Sequence, residues 1–542
     1  MKRSIFVALF SMTCVPMCIA KSQPNIVMMF ADDLGRYASA YGDPNIPSPN
    51  DIIKTPIFDR IAREGARFDN AFISAPSCTP SRGALATGRH FFRNGSHAQL
   101  HHPWAGSEID PISKIKGIAE QLRDSGYHIG HTYKIHIDER LIGGKTCIYD
   151  AAGRAINDFS ENVSRALDKE TEKKKIFEQV RDNFRAFLAK RKPGQPFYYS
   201  FHPTNTHRSW EKGSGKALWN LDPEALKGKL DPCLPDVPEI REDFADYLGE
   251  AMAFDAACGV IIEELEKLGE LDNTVVAISG DHGAPGFPRG KCNTCDFGAR
   301  VLLGMRWPAH IESGKVIKTP VSLVDMTPTF LAAAEVPALP EMDGDSLLKA
   351  LAKSGSEESL RGWVLIGREV HAQPARAGNL PYPVRSLRTR DFLYTINFKP
   401  DRWPAGDPTS LPEGQSPSPA DWQKNTYAGY ADFDASPTKA WLVGNSTNSI
   451  VAEAWRLGIE KRPGEELYDL KKDPYQLRNI ADDPAYKEQK QALHKQVITI
   501  LEKGNDPRLD NDAFDHPPYL LAAKAKKGAK KLTKQATGNG DR

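Results

Sequence analysis

The sequence predicts an α/β fold in which an open, mostly parallel sheet is sandwiched by helices, followed by a smaller α+β unit. Three observations predict it. Short apolar runs end abruptly in polar or charged residues, as buried parallel strands do at their carboxyl ends. Helical stretches closed by glycine alternate with those runs through the first part of the chain. From about Leu360 the pattern changes to short alternating segments and turns, closed by one more helix.

The chain has 542 residues, 40% hydrophobic and 26% charged, an ordinary globular composition that leaves room for more than one domain. Its first twenty residues stand apart. Lys2 and Arg3 precede an apolar run from Ile5 to Ile19 that closes on Ala20, which reads as a secretory signal peptide cleaved near Ala20. A periplasmic or secreted protein is expected. Cys18 sits in "VPMC", a poor lipoprotein sequence, and no later run is long and apolar enough to predict a membrane span.

"PNIVMMF" (24–30) reads as a buried strand delivering Asp32 and Asp33 at its end. "TPIFDRIAREGARFDNAFIS", "IKGIAEQLRDSGYHIGHTYKIH", "KKIFEQVRDNFRAFLAKRKPGQPFYYSFH" and "EAMAFDAACGVIIEELEKLGELDNTVVAISGDHG" each read as a helix followed by a strand. Ligands in such sheets bind beyond the strands' carboxyl ends, so the polar residues there are the candidates for chemistry. The expected organisation is a signal peptide (1–20), an N-terminal catalytic domain (21–360) and a C-terminal subdomain (361–515). That subdomain holds an antiparallel sheet, a helix and a long substrate-side loop (401–449), and a basic tail follows (516–542).

Net charge is +1, and removing Lys2 and Arg3 leaves −1, which excludes a generally basic nucleic-acid binder. Beyond Leu521 six lysines and one arginine face a single aspartate, giving either a solubilising tail or a tether to an acidic surface. Of eight cysteines, Cys14 and Cys18 leave with the signal. The other six could pair in an oxidising compartment. Cys292 and Cys295 have CxxC spacing without a second pair or nearby histidines, so a local disulfide or two packed thiols is expected rather than a zinc site.

"PSCTPSRGALATGR" (76–89) places Cys78 at the mouth of a helix, with Pro80 in its first turn and Arg82 one turn along. A helix start flanked by arginine suits an anion. The string C-x-P-S-R-x4-T-G resembles the signature of type I sulfatases, members of the alkaline phosphatase superfamily, in which this cysteine is oxidised to formylglycine before the chain folds. The match extends over most of the chain, about Asn25 to Asp483. Its flavour is that of bacterial polysaccharide sulfatases in the group containing heparan N-sulfatase. The resemblance implies an alkaline-phosphatase-like fold and a formylglycine-generating enzyme as maturation partner. It also implies one divalent cation held by Asp32, Asp33, Asp281, His282 and modified Cys78. Oxygen-rich ligation favours calcium, with magnesium as the alternative.

The second signature resembles "GYHIGHTYKIH" (126–136), giving Lys134 and His136, expected to share one face of a strand as i and i+2. Ile129 and Tyr133 depart from the pattern there, Tyr133 standing where the family has glycine. "FHPTNTHRSW" supplies His207, with His202 as the lesser candidate, and "PRGKCNTC" supplies Lys291. The resemblance implies a hydrated formylglycine as nucleophile with Asp281 as base, and Arg82, Lys134 and Lys291 on the sulfate oxygens. His207, with Lys291, would protonate the leaving oxygen, and His136 would assist release of enzyme-bound sulfate. His101, Glu369, His371, Arg376 and Arg385 lie in segments expected to rim the pocket and read the sugar, with a surface or second-domain salt bridge as the alternative for each.

The expected activity is hydrolysis of sulfate esters on a sulfated saccharide, an algal polysaccharide or glycosaminoglycan fragment. N-sulfamide cleavage is the runner-up. A phosphonate monoester or phosphodiester hydrolase and a non-catalytic glycan-binding protein are the rivals.

Overall fold

The computed structural model describes residues 23–100, 107–409 and 415–520. The expected signal peptide, His101 and the basic tail from residue 521 lie outside the described residues.

Fourteen strands form three sheets among the described residues. The largest holds β1 (Asn25–Ala31), β2 (Ala66–Phe68), β4 (His128–Tyr133), β5 (Phe197–His202), β6 (Thr274–Gly280), β8 (Leu303–Arg306) and β9 (Lys315–Ile317). Their order is β4-β5-β1-β6-β8-β2-β9. The pairs β4/β5, β5/β1, β1/β6 and β2/β9 are parallel, whereas β8 runs antiparallel to both β6 and β2. A small sheet joins β3 (Ala71–Phe72), β7 (Arg300–Val301) and β10 (Val321–Ser322). The third is antiparallel: β11 (Trp363–Arg368), β12 (Val384–Thr389), β13 (Phe392–Asn397) and β14 (Glu465–Asp469).

The central strand shows why the first runs are apolar throughout. Every residue of β1 is buried, and its alternate side chains enter two different cores. Val27 and Met29 pack with Phe58 and Ile61 of helix α1 (Pro56–Glu64), Phe184 and Phe187 of the helix Lys169–Leu188, and Leu248 of the helix Pro238–Lys267. Ile26, Met28 and Phe30 face Leu85 of α2 (Cys78–Thr87), Leu122 of α3 (Ile118–Asp124) and Phe330 of the helix Met326–Ala333. The sheet is thereby covered on both faces, and its strand ends are the open edge available for chemistry.

The antiparallel sheet has its own core, in which Leu365, Leu387 and Leu467 meet Val497 and Leu501 of the helix Lys487–Lys503. Segment 401–449 is not a plain connection. Its described residues include the helices Pro419–Lys424 and Pro437–Gly444, folded around Trp422, Tyr430, Phe433 and Leu442. The Lys439 ammonium is buried among carbonyls, donating to Gly429 at 2.8 Å, Phe433 at 2.6 Å and Tyr430 at 3.1 Å. Cys78, Cys147, Cys233, Cys258, Cys292 and Cys295 are all buried and free, so of the two alternatives for Cys292 and Cys295 the packed thiols are the one seen.

Candidate active site and metal cradle

Two adjacent parallel strands bring the acidic residues together. β1 ends at Ala31 opposite Gly280 of β6, so Asp32–Asp33 and Asp281–His282 leave the sheet side by side. The approach is tight: a Cβ on Gly280 would lie 2.0 Å from the Leu34 carbonyl oxygen, a position only glycine tolerates. Asp33 takes a left-handed φ of 63°, and its backbone N–H donates to Asp281 Oδ1 at 2.7 Å. The chain after β5 fastens the same corner, because Asp32 N–H donates to the Asn205 carbonyl at 2.9 Å.

Helix α2 supplies the remaining centre. Ser77 is its extended N-cap residue, Cys78 its first residue, and Gly88 closes it at φ 67°. Cys78 Sγ lies 3.5 Å from His282 Nε2, 3.4 Å from Lys134 Nζ and 3.9 Å from Asp33 Oδ1. Arg82 is 1% exposed and donates from Nε to Asp281 at 2.9 Å, from Nη2 to Asp32 at 3.1 Å and from Nη1 to His202 at 3.1 Å. Lys134 donates to Asp32 Oδ2, and Lys291 donates to Asp33 Oδ2 at 2.9 Å.

One ligand atom from each of Asp32, Asp33, Cys78, Asp281 and His282 falls within 4.8 Å of the others. That is the span of a single coordination sphere with ligands about 2.3–2.6 Å from a hard cation. The donor chemistry agrees, since three buried carboxylates crowd one point. Burial, opposed by His282 and Arg82, leaves the Asp281 carboxyl raised to about 7. Burial also disfavours ionised Asp32 and Asp33, but Lys134 and Arg82 hold the first well below the ordinary range and Lys291 and His282 lower the second. The residues present therefore fit a divalent cation.

Burial would push the Cys78 thiol up, yet Lys134 and Lys291 overcome it and bring it down to about 7. Desolvation disfavours a charged Lys291, but Asp33 and Asp434 outweigh it and hold its pKa well above the ordinary value. Position 78 is thus a pocket for negative charge, bounded by two ammonium groups and a cation cradle.

His136 and His207 both keep exposed surface at this edge, His136 with part of its ring desolvated. Loss of hydration and the Lys134 charge lower His136 to about 4. Lys134 and His136 do not share a strand face as expected. β4 stops at Tyr133, whose φ is 72°, and His136 is itself left-handed at φ 50°. The turn ties back to α2 through Thr79 Oγ1, which donates to the His136 carbonyl at 2.7 Å. His207 Nδ1 lies 2.5 Å from the Arg208 carbonyl, and His202 sits beneath the site against Arg82.

Four of the five expected sugar-reading residues are placed otherwise. Arg385 and Glu369 are buried partners at 2.8 Å, with Arg385 also paired to Asp506 at 2.6 Å and Glu369 to Arg508. Arg376 is buried against Asp432 at 2.6 Å. His371 is buried with Nδ1 2.8 Å from Ser77 Oγ, behind the start of α2. Each of the four is buried with an internal partner. His101 lies outside the described residues.

One residue not foreseen is Asp434, 3.5 Å from Lys291 Nζ. It arrives on segment 401–449, and no local motif marks it.

Comparisons with known proteins agree with this geometry. A family model described as Sulfatase matches residues 24–336, more than half of the chain. Human N-sulphoglucosamine sulphohydrolase is 27% identical over 538 residues, covering 92% of this chain and 95% of that protein. An ulvan-active sulfatase of Formosa agariphila is 23% identical over 528 residues, covering 90% of this chain and 76% of its own. A structure solved with its substrate D-glucosamine-2-N,6-O-disulfate superposes with a TM-score of 0.59 at 19% identity, covering 91% of this chain and 100% of that one. The phosphonate monoester hydrolase of Agrobacterium radiobacter superposes at 0.57 with 16% identity, covering 90% and 97%. These structural likenesses show a shared fold.

Proposed function

This chain belongs to the sulfatase family, and on that premise we propose that it hydrolyses sulfate esters of a sulfated carbohydrate, a glycosaminoglycan or algal polysaccharide fragment. The proposal includes export from the cell, conversion of Cys78 to formylglycine by a formylglycine-generating enzyme, and calcium in the cradle. The carrying observation is the placement of Cys78, at a helix start within reach of Lys134, His282 and the carboxylates.

When bound, the cation and the formylglycine supply charge neutralisation and an oxygen nucleophile at position 78. The chain's own groups do the rest. A sulfate ester resists attack because its oxygens repel a nucleophile and its leaving alcohol is basic. Lys134 and Lys291 flank position 78 and bind sulfate oxygens. Arg82, gripped by Asp32 and Asp281, holds both carboxylates in register and adds positive charge beneath the centre. Asp281 receives a proton as the nucleophile attacks. The exposed imidazoles exchange protons with solvent, His207 at the leaving oxygen and His136 during sulfate release.

A second reading, N-sulfamide cleavage, is favoured by the near full-length similarity to the human sulphohydrolase. The test is mass spectrometry of the Cys78 peptide, then sulfate release from defined O-sulfated and N-sulfated saccharides and hydrolysis of aryl phosphodiesters. Fast release from O-sulfated sugars is expected. Preference for the N-sulfated sugar would move the assignment to a sulfamidase, and preference for phosphodiesters would overturn both readings.

A further inference from the structure

Away from Cys78 the protein has a cavity of about 620 Å³, lined by none of the residues of the metal cradle. That volume lies in the range of small-ligand sites, roughly 300–1,000 Å³. Its floor is aromatic, with Tyr37, Tyr41 and Tyr475 along it.

The charged groups around it are unequally satisfied. Arg67 pairs with Asp69 at 2.9 Å, and Lys229 with Asp51 at 3.2 Å. Asp296 is gripped by two bonds from Arg388, at 2.9 and 3.1 Å, and is 3.4 Å from Arg300. The carboxylates Asp43 and Asp231 also line the cavity without an ion pair among the described residues, and Arg36 is the exception among its cations. Its Nε is sealed from solvent with no hydrogen-bond partner, its guanidinium stacks over Tyr41 at 4.7 Å, and it forms no ion pair among the described residues. Asp69 and Asp296 act on Arg36 through space without bonding to it, and stacking on one ring does not satisfy the donors of a sheltered guanidinium.

The geometry points to this cavity as a second binding site, for the anionic group of a saccharide unit, with Arg36 as the charge partner and the tyrosines as the stacking surface. A guanidinium suits the planar or tetrahedral oxygens of carboxylate and sulfate, and tyrosine rings suit a sugar face. Burial beside Arg300 lowers Arg36 to about 10, the direction an entering anion would reverse. The choice of saccharide rests on the function proposed above; the anion site itself rests on the cavity. Arg36 also shares a loop with the cradle. Tyr247 donates to the Asp33 carbonyl at 3.1 Å and accepts from Gly35 N–H at 2.9 Å, so one hydroxyl holds the segment between the two sites.

Calorimetry on the mature Cys78→Ala protein with two probes tests this. One is an unsulfated tetrasaccharide of alternating glucuronate and N-acetylglucosamine, and the other is galactose 6-sulfate. Arg36→Gln is expected to weaken at least one probe about tenfold or more, with Arg36→Lys intermediate. The probe affected identifies carboxylate or sulfate as the anion. Hydrogen exchange on the parent should show the same probe protecting residues 36–50, a readout that stands if Arg36→Gln fails to fold. Equal binding by parent and Arg36→Gln, or no protection of 36–50, overturns the proposal. Absence of sulfate release from every ester would instead overturn the catalytic reading and leave this binding result intact.

Discussion

Lys291 Nζ stands 2.9 Å from Asp33 Oδ2, and each is buried. The pair joins the cradle to the sulfate side of the pocket, because Lys291 neutralises a carboxylate of the first and brings positive charge to the second. Lys291→Met removes both effects. Turnover is expected to fall roughly a hundredfold or more, while Lys291→Arg retains part of it. Steady-state kinetics checks this, and an unchanged kcat in Lys291→Met would remove Lys291 from the mechanism.

Chelation is the second test. A cation held by the folded cradle and not by the unfolded chain stabilises the fold, so prolonged treatment with EGTA should abolish sulfate release and lower the melting temperature. Calcium should restore both, with stabilisation growing with its concentration. Restoration by magnesium alone would correct the metal.

Arg385 gives a test of structural against substrate roles. It is fully buried between Glu369 and Asp506. Arg385→Met should destabilise by roughly 3–5 kcal/mol, because it strands the buried Asp506 carboxylate and leaves Glu369 to Arg508 alone, measured by urea unfolding. The folded fraction should keep its KM. A raised KM with unchanged stability would return Arg385 to the sugar.

Acid sensitivity follows from buried histidine. Burial lowers His90 to about 4 from an ordinary 6.5. Its folded-state pKa is depressed, so between those values the unfolded chain binds more protons than the folded one. The stability from keeping His90 neutral is full above pH 6.5 and is lost as pH falls toward 4, about 3 kcal/mol in all. His90→Asn should flatten the dependence of unfolding free energy on pH across that window. An identical slope in parent and variant would contradict the assignment.

Legibility differed by position for physical reasons. β1 and β6 were readable because strands buried on both faces are apolar throughout, and the acidic residues at their ends interrupt that run sharply. Cys78, Pro80 and Arg82 were readable because a helix start has local requirements. For Glu369, Arg376 and Arg385 the salt-bridge alternative is the one realised, and the sequence could not decide it because a charged residue has the same letter whether it faces a ligand or an internal partner. Asp434 was invisible for a related reason: its position depends on how 401–449 packs around Trp422 and Lys439, a tertiary event with no local pattern. The departure at Tyr133 has a structural account. Its φ of 72° is one that glycine adopts freely, and here the ring is buried against Phe201 while its hydroxyl accepts from Asn183 at 3.0 Å.

Every residue of α2 from Cys78 to Thr87 is buried. If Cys78 is converted as proposed, a maturation enzyme that must grasp the flanking chain has no purchase on such a helix once it has packed, so conversion and folding would compete for each new molecule. On that proposal the outcome is permanent: a molecule that packs first would keep its thiol and stay silent. Specific activity would then count the fraction that won that race, and two batches of equal purity would differ without any difference in the intrinsic rate constant.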